Sequence, residues 1–260
     1  MNVHPTAIIE SGAEIGADVE IGPYSHIGPN VRLGNGVRLL SHVFIEGHTE
    51  IGDGTVIRPF VSLGGPPQHL GCNGDGTKLV IGAENIICEH VTMNRGTKMG
   101  GGVTRVGRGG YFMASSHLAH DCQVGDGVIF ANNATVGGHV VIGDRVFLGG
   151  LTGIHQNCRV GAFSFTGGGA VVDNDLIPYA SAFGNHARLV GLNVIGMKRR
   201  GMARESIQKL RTVYKELFLS EKVFSEQVSL VRERFGTMPE AARILDFIEQ
   251  DSIRPLMPAR

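Results

Sequence analysis

The chain has 260 residues, no tryptophan and 39 glycines, with 24 basic and 24 acidic residues. It contains no run of 18 or more apolar residues and does not start with the basic and apolar segments of a signal peptide. The sequence therefore predicts neither secretion nor stable membrane insertion. The balanced charge argues against a nucleic-acid-binding protein, and the four unpatterned cysteines favour reduced thiols in a cytoplasmic protein.

A six-residue repeat begins almost at the first residue. An aliphatic side chain recurs at every sixth position from Val3 to Leu63, over eleven hexads without a slip. A helix requires a recurrence near 3.6 residues and a half-buried strand a recurrence of two, so neither element explains this period. Hexapeptide repeats are typical of a parallel β-helix, in which each short strand buries its apolar side only by stacking on the next coil. With three hexads per coil, equivalent residues of successive coils should stack.

Two insertions, at residues 65–77 and 99–105, interrupt the register. The apolar position returns three times between them, and after the second insertion it continues from Val106 to Val172. The total of 26 hexads corresponds to between eight and nine coils, or a column about 40 Å long. Loops that leave a regular scaffold often carry binding residues, although a solenoid also tolerates insertions that have no function.

The pattern changes after the repeat ends. Residues 1–178 are predicted to form a β-solenoid, and residues 179–195 an irregular connection. From 196 to 260 apolar residues recur at spacings of three and four, which predicts a small C-terminal α-helical domain. Its third helix should start with a capping box at residues 237–240. Lysine and arginine outnumber aspartate and glutamate over this domain, which would suit an acidic partner.

Four histidines occur in the later part of the repeat, at His117, His120, His139 and His155. Counting by coils places His139 one layer above Asp121, and His155 two layers above the residue that precedes His120. These residues therefore share one edge of the column. Their spacing alone leaves three interpretations: a general base with a carboxylate nearby, a zinc site, or histidines that face solvent. The sequence contains no P-loop, dinucleotide fingerprint or nucleophile elbow.

Several short motifs follow one another in an order that carries a resemblance. They are His117-Leu-Ala-His-Asp-Cys122, Ala131-Asn-Asn-Ala-Thr135, Gly138-His-Val140, His155-Gln156, Gly184-Asn-His186 and Gly191-Leu-Asn193, which runs into Lys198-Arg-Arg-Gly201. Hexads precede these motifs and predicted helices follow them. In this order of features the sequence resembles the hexapeptide-repeat acyltransferases. Among these it is similar to the acyl-carrier-protein:UDP-N-acetylglucosamine O-acyltransferase family, which starts lipid A synthesis. The resemblance covers nearly the whole chain.

This resemblance implies a left-handed β-helix and a homotrimer with its active sites between neighbouring subunits. It also implies direct transfer of an acyl chain from acyl carrier protein to the 3-hydroxyl of UDP-N-acetylglucosamine. No metal and no separate cofactor would take part, because the donor is carried on the phosphopantetheine of the carrier. His120 would be the general base and Asp121 its orienting carboxylate. Neighbours on a strand point to opposite faces, so Asp121 would need a bend in the chain to act on His120.

The resemblance assigns further residues to substrate binding. The residues expected near the reacting sugar or acyl group are His117, His139, His155 and Gln156. Asn193, Arg199 and Arg200 would bind nucleotide phosphate or phosphopantetheine, since guanidinium groups suit phosphate oxygens. Gly168 falls at the position of the acyl-length ruler, where a glycine leaves room for a longer chain.

The sequence departs from the family pattern around the sugar site. Gln68-His69-Leu70-Gly71 stands where the family commonly has Gln-Asp-Leu-Lys, Asn94 stands where it has histidine, and Ile195 replaces a glutamate. His69 and Asn94 are therefore expected to contribute to substrate binding and not to proton abstraction. These departures leave open an N-acyltransferase that acts on a nucleotide-linked amino sugar. The same fold would also suit a zinc hydratase or a non-catalytic trimeric scaffold.

Overall fold

The computed structural model describes residues 1–72 and 74–259, which form a column of short strands followed by helices. The strands are β1 Asn2–Val3, β2 Ile8–Ile9, β3 Glu14–Ile15, β4 Glu20–Ile21, β5 His26–Ile27, β6 Val31–Leu33, β7 Arg38–Leu39, β8 Phe44–Ile45, β9 His48–Ile51, β10 Val56–Ile57, β11 Ser62–Gly65, β12 Lys78–Ile81, β13 Ile86–Ile87, β14 Thr92–Asn94, β15 Val103–Val106, β16 Tyr111–Phe112, β17 His117–Leu118, β18 Gln123–Val124, β19 Ile129–Phe130, β20 Thr135–Val136, β21 Val141–Ile142, β22 Phe147–Leu148, β23 Gly153–Ile154, β24 Arg159–Val160, β25 Phe165–Thr166, β26 Val171–Val172, β27 Ala180–Phe183 and β28 Arg188–Leu192. The α-helices are α1 Val194–Arg199, α2 Arg204–Phe218, α3 Phe224–Phe235 and α4 Pro239–Glu249, and a 3₁₀ turn spans Lys98–Gly100.

The strands form three sheets, parallel except for the final strand β28, so that each coil contributes one strand to each side of a prism. Sheet A runs from β1 through β4 to β25, β27 and β28, sheet B from β2 to β26, and sheet C from β3 to β24. Strand partners in the first coils are separated by three hexads, as in Asn2 with Glu20 and Ile8 with His26. The prediction of a parallel β-helix built from hexads is confirmed, with three hexads to a coil.

The core consists of the hexad apolar side chains, which stack along the axis of the prism. On sheet A the fully buried row contains Ile21, Leu39, Ile57, Ile87, Phe112, Phe130 and Leu148. Smaller side chains fill the three inner corners, among them Val128, Ala134, Val140 and Val146. This packing explains why a large residue and a small residue alternate within each hexad.

The outer corners of the prism require left-handed backbone, and many are occupied by residues other than glycine. Tyr24, His42 and Phe60 all have φ between 51° and 63°, and their rings follow one another with centroids about 5 Å apart. The left-handed conformation costs roughly 1–2 kcal/mol per non-glycine residue. Stacking between coils offsets part of this cost, so the corners can carry functional side chains.

Both insertions leave the column at the corner between sheets B and C. The first connects β11 to β12 and lengthens its coil, so that Ser62 pairs with Thr92 in the coil above. The second connects β14 to β15 and lengthens the following coil, so that Thr92 pairs in turn with His117. The next coil turns at the same corner between β17 and β18, which is where His120 lies. Three successive coils therefore bring both insertions and the histidine motif to one edge.

Residues 179–195 do not form the irregular connection that the sequence predicts. Strand β27 continues sheet A by pairing with β25, and β28 returns antiparallel to β27. The pairing covers the exposed upper edge of sheet A, a tertiary contact that leaves no period in so short a segment. The division of the chain at residues 178 and 195 stays a prediction.

The C-terminal helices pack on one another through the predicted apolar faces, including Ile207, Leu210 and Val231. The expected capping box is wrong: the N-cap of α4 is Met238, whose side chain makes no capping bond, with Pro239 in the first turn. Met238 N–H donates instead to the Phe235 carbonyl, so the chain enters α4 directly from the end of α3. Within the described part of the chain, none of the helices has the length and hydropathy that a membrane crossing requires.

After α4 the chain returns to the β-helix. Asp175 N–H donates to the Pro255 carbonyl, and Met257 N–H donates to the Asp175 carbonyl. The Asp175 side chain, which is fully buried, accepts from both the backbone and the guanidinium of Arg159 at 2.7 Å. The C-terminal tail is thus fastened to the top of the column by backbone hydrogen bonds at Asp175, whose side chain is paired with Arg159 within the column.

The core stacking predicts a large cost for shortening one inward side chain. Leu148 is 0% exposed, and Leu148→Ala should lower the free energy of unfolding by roughly 2–5 kcal/mol, since it removes buried methyl groups and leaves a cavity. Leu219→Ala makes the same change at a side chain that is 58% exposed and should stay within about 0.5 kcal/mol of the parent. Urea unfolding of the two variants tests this expectation. Equal losses of unfolding free energy in both variants would contradict it.

Candidate active site

His120 and Asp121 form a hydrogen-bonded pair at the corner between sheets B and C. Asp121 has left-handed backbone, with φ of 60°, so the chain turns sharply between β17 and β18. The turn places two sequence neighbours on the same side, and His120 Nδ1 lies 2.9 Å from Asp121 Oδ2. The bend that Asp121 would need in order to act on His120 is therefore present.

The Asp121 carboxylate is buried and accepts several hydrogen bonds. Thr97 donates twice, from its backbone N–H to Oδ1 at 2.8 Å and from its hydroxyl to Oδ2 at 2.7 Å. Burial by itself raises the pKa of Asp121, but the hydrogen bonds from Thr97 and His120 outweigh it and hold this pKa below its ordinary value. Because an ionised carboxylate can only accept, the shared proton lies on Nδ1 of His120. The lone pair on Nε2 of His120 is then free to take a proton.

Two further imidazoles contact this pair. His139 lies in the next coil, as the spacing predicts, with Nε2 3.7 Å from Asp121 Oδ2 and its ring edge-on to His120. His69, from the first insertion, also meets the His120 ring edge-on, with centroids 5.7 Å apart. The residue that replaces the family aspartate therefore lies against the expected base.

His117 lies on the outer face of sheet B, beside the pair. Its Nδ1 shares a hydrogen bond of 2.7 Å with the hydroxyl of Thr92 in the coil below. Burial, and to a lesser extent the charge of His120, lower the pKa of His117. At neutral pH this imidazole is therefore an uncharged hydrogen-bonding group.

Glycines bring the backbone close to both members of the pair. A Cβ atom on Gly138 would lie within about 3 Å of three atoms of the His120 ring. A Cβ atom on Gly100, in the second insertion, would overlap the Asp121 carboxylate. These two positions have room only for glycine, and they fix the pair between consecutive coils. Gly138 lies 18 residues after His120, so the coil count relates these two, whereas the Gly100 contact comes from an insertion and has no periodic signal.

His155 and Gln156 are exposed on the same edge, and the C-terminal tail holds them. Arg254 Nη2 lies 2.5 Å from His155 Nδ1, and its Nε donates to the Gln156 carbonyl at 3.2 Å. Arg254 lies far from both residues in the sequence, which made this contact unpredictable. Among the described residues, the side chain of His155 makes polar contacts with Arg254 and with the backbone of Gln156, and not with His120.

Asn94 and Gly168 occupy different parts of the surface. The Asn94 side chain is buried and donates from Nδ2 to the Pro66 carbonyl at 2.8 Å, so it fastens the first insertion to the column. Its Oδ1 is buried without a hydrogen-bond partner among the described residues. Gly168 is exposed at the corner between sheets A and B, where a Cβ atom would lie 3.4 Å from the Gly150 carbonyl.

Asn193, Arg199 and Arg200 are not next to His120 within one chain. They line a groove of about 820 Å³ on the outer face of sheet A, together with Phe147 and Phe165. Asn193 caps α1 by accepting from Gly196 N–H, and its Nδ2 donates to the Phe163 carbonyl. Apart from Gly168, the site residues expected from the sequence therefore form two clusters, one at the corner of sheets B and C and one on sheet A.

The cationic side of this groove has further members. Arg200 donates to the Arg145 carbonyl at 3.1 Å, and its guanidinium lies over the Phe163 ring. Partial burial and the nearby Arg145 lower the pKa of Arg200, but an arginine remains charged. Arg145, which the sequence analysis did not single out, also lines the groove. The groove combines apolar rings with several guanidinium groups, a composition that suits a phosphorylated ligand with a flat ring.

The zinc interpretation can be compared with the geometry of the pair. His120, Asp121 and His139 are close enough together to hold a metal ion. The Asp121 oxygens, however, already accept from the backbone and hydroxyl of Thr97 and from His120 Nδ1. Three imidazoles converging on one point, which a hydratase of the predicted kind would require, do not occur among the described residues. The polar atoms of this group are therefore engaged with one another and with Thr97.

Comparison with known proteins identifies the class to which the chain belongs. Residues 2–35 and 12–47 match the family described as bacterial transferase hexapeptide (six repeats). Residues 175–257 match the second domain of UDP-N-acetylglucosamine O-acyltransferase. The coils, the buried histidine and aspartate and these matches define a transferase of the hexapeptide-repeat class.

Relatives along the whole chain specify the family. The chain is 54% identical over 256 residues to acyl-[acyl-carrier-protein]–UDP-N-acetylglucosamine O-acyltransferase of Caulobacter vibrioides, covering 98% of this chain and 97% of that protein. It is 47% identical to the enzyme of the same name from Rhizobium johnstonii, covering 98% and 93%. The structure of UDP-N-acetylglucosamine O-acyltransferase from Moraxella catarrhalis matches with a TM-score of 0.96 at 39% identity, covering 99% and 100%. The chain belongs to the acyl-carrier-protein:UDP-N-acetylglucosamine O-acyltransferase family, and its fold is a left-handed parallel β-helix.

The buried carboxylate predicts how stability depends on pH. Because folding lowers the pKa of Asp121, its ionised form stabilises the fold above the ordinary carboxyl pKa of about 4. That contribution is lost as the pH falls through the lower pKa of the folded state. Asp121→Asn should therefore unfold more easily than the parent at neutral pH, by roughly 1.5–3 kcal/mol, and the difference should shrink on acidification.

Urea unfolding between about pH 7 and pH 3 measures this difference. Asp251→Asn, which removes an exposed carboxylate, is the control and should leave the pH dependence of stability unchanged. The expectation would be contradicted if the difference in free energy of unfolding between the parent and Asp121→Asn stayed constant over the whole pH range.

Proposed function

We propose that the protein transfers an acyl chain from acyl carrier protein to the 3-hydroxyl of UDP-N-acetylglucosamine, in lipid A synthesis. The observation that carries this proposal is the hydrogen-bonded pair of His120 and Asp121, in a chain that belongs to the O-acyltransferase family over nearly its full length. A thioester is already activated, so the enzyme mainly has to align two substrates and remove one proton.

In the proposed reaction His120 acts as the general base. Its Nε2 takes the proton of the sugar hydroxyl while the oxygen attacks the thioester carbonyl carbon and forms a carbon–oxygen bond. The tetrahedral intermediate then expels the phosphopantetheine sulfur as the carbon–sulfur bond breaks. The imidazolium of His120 returns the proton to that sulfur, and Asp121 stabilises the positive charge in between. The products are the acylated sugar nucleotide and the free thiol of the carrier.

The surrounding side chains fit substrate binding at the corner of sheets B and C. The side chains proposed to contact the sugar or acyl group are His69, Asn94, His117, His139, His155 and Gln156. His117 is suited to a neutral hydrogen bond because its pKa is lowered. Asn94 supports this site by holding the first insertion through its hydrogen bond to the Pro66 carbonyl. Gly168 is proposed to limit the acyl chain, on the resemblance to the family alone.

The separation of the two clusters supports a trimer. Asn193, Arg199 and Arg200 lie on sheet A, whereas His120 lies at the opposite corner, so one chain cannot bring both to one substrate. A neighbouring copy that packs side by side would bring the groove of one subunit against the corner of the next. We propose that the nucleotide or phosphopantetheine binds in the sheet A groove. The exposed cations of α1 suit an acidic carrier protein.

An N-acyltransferase, a hydratase and a non-catalytic scaffold are less well supported. The relatives that match nearly the whole chain are named as O-acyltransferases, which favours the hydroxyl over the amine as the acceptor. The same relatives do not favour a hydratase or a non-catalytic scaffold. Offering the 3-amino analogue beside UDP-N-acetylglucosamine distinguishes ester from amide formation directly.

Removing the proposed base should abolish most of the transfer. His120→Ala should lower kcat/KM for UDP-N-acetylglucosamine by roughly 100-fold to 10,000-fold, the usual contribution of general base catalysis. Transfer from carrier proteins loaded with 3-hydroxyacyl chains of different lengths provides the assay. His4→Ala, at an exposed position of the first coil, is the control and should retain parental activity. Parental activity in His120→Ala would exclude the proposed base.

His69 should affect binding more than chemistry. It contacts the outer side of the His120 ring, and the Asp121 pair already holds Nδ1 of that ring. His69→Ala should therefore raise the KM for the sugar nucleotide more than it lowers kcat, whereas Leu70→Ala, which is fully exposed beside it, should change neither. A loss of kcat at unchanged KM would make His69 part of the chemistry.

A further inference from the structure

The hydroxyl of Thr97 joins the second insertion to the catalytic pair. It donates to Asp121 Oδ2 at 2.7 Å and accepts from Gly100 N–H at 3.0 Å, where Thr97 is the N-cap of the Lys98–Gly100 turn. The backbone N–H of Thr97 donates to the other oxygen of Asp121. Thr97 is only 1% exposed. One buried residue from the coil below therefore supplies two of the hydrogen bonds to this carboxylate.

A carboxylate without such donors would not keep its orientation. The terminal torsion of an aspartate is broad, so its rotation is restricted mainly by hydrogen bonds and by contacts. Oδ2 accepts from both His120 Nδ1 and the Thr97 hydroxyl, whereas Oδ1 accepts from the Thr97 backbone. Thr104 acts on the other side, where its hydroxyl accepts from Asp121 N–H at 2.8 Å. The side-chain orientation thus depends on Thr97, and the backbone orientation on Thr104.

The turn that Thr97 caps also closes over the carboxylate. Gly100 approaches Asp121 so closely that an added Cβ would overlap it, and a Cβ on Gly96 would lie 2.8 Å from Oδ1. Sequence periodicity treats residues 99–105 as an interruption of the coils. In the structure the start of this interruption forms one wall of the pair.

We propose that Thr97 is a positioning residue, which sets the orientation of Asp121 and through it the orientation of His120. The inference rests on the proposed general base function of His120. Thr97 itself does not touch the substrate: it holds the carboxylate that holds the imidazole. Small misplacements of a reacting group lower rates strongly, so the loss of one buried hydrogen bond should appear in kcat and not in substrate binding.

The proposal also predicts a change in the pH profile of the reaction. Without the Thr97 hydroxyl, Oδ2 would accept a hydrogen bond only from His120 Nδ1–H and would stabilise the protonated imidazole more strongly. The acidic limb of the pH dependence of kcat/KM would therefore move to higher pH. Among the described residues, the other titratable groups that face the pair are His69, His117, His139 and the buried thiol of Cys122. These remain in place in the variants below, so a shift of the limb reports on the carboxylate.

The test compares three variants in the acyl-transfer assay. Thr97→Val keeps the shape and the backbone donor but removes the hydroxyl, and it should lower kcat at least about tenfold with both KM values within about twofold. Thr97→Ser keeps the hydroxyl and should recover activity to within about threefold of the parent. Thr55→Val makes the same change at a buried threonine of an early coil, which bonds to Gly82, and should leave kcat and the pH profile as in the parent.

Gly100→Ala gives an independent test if Thr97→Val does not fold. Its methyl group displaces the Asp121 carboxylate from the side of the turn and should also lower kcat while leaving KM nearly unchanged. The proposal would be overturned by parental kcat in Thr97→Val or in Gly100→Ala. It would also be overturned if Thr97→Ser were as slow as Thr97→Val, or if the variants changed only KM. Absence of transfer by the parent protein would instead reject the proposed function, so the two failures are distinguishable.

Discussion

Hydrogen bonding between coils is the constraint on which the rest of the structure depends. Each strand is two to five residues long and has no stability of its own, so its backbone groups are satisfied only by the coils above and below. The resulting register of three hexads to a coil brings side chains from distant parts of the sequence into rows. Ile21, Leu39 and Ile57 form such a row inside, and Tyr24, His42 and Phe60 form one outside.

The same constraint makes the corner between sheets B and C a suitable place for chemistry. The register must be kept on the flat sides, whereas at a corner the chain can leave and return without loss of strand pairing. Both insertions do so in consecutive coils, and the coil above them carries the buried pair. His69 from one insertion and Thr97, beside the other, reach this pair from below. The scaffold is rigid, and the loops that it holds supply the specific contacts.

A buried carboxylate is costly unless hydrogen bonds compensate for the lost hydration. Asp121 is ionised inside the protein because Thr97 and His120 supply donors and His139 lies nearby. Its charge in turn keeps the His120 proton on Nδ1 and leaves the Nε2 lone pair available for the proposed base catalysis. The same hydrogen bonds to Asp121 therefore stabilise the folded state and prepare His120 for the proposed catalysis. The second cluster, on sheet A, has the opposite character, with guanidinium groups beside partly buried aromatic rings.

The sequence by itself determined the β-helix, because a hexad period has few other structural solutions, and the counting of coils correctly placed His139 against Asp121. Only the tertiary structure decided the strands within 179–195, the Arg254 contact with His155, and the Thr97 and Gly100 contacts with Asp121. In each of these contacts one partner lies outside the repeat or an insertion separates the two, so no period relates sequence distance to position in space. It also decided that Asn193, Arg199 and Arg200 lie on a different side from His120, because the side on which a helical segment packs is set by docking and not by local pattern.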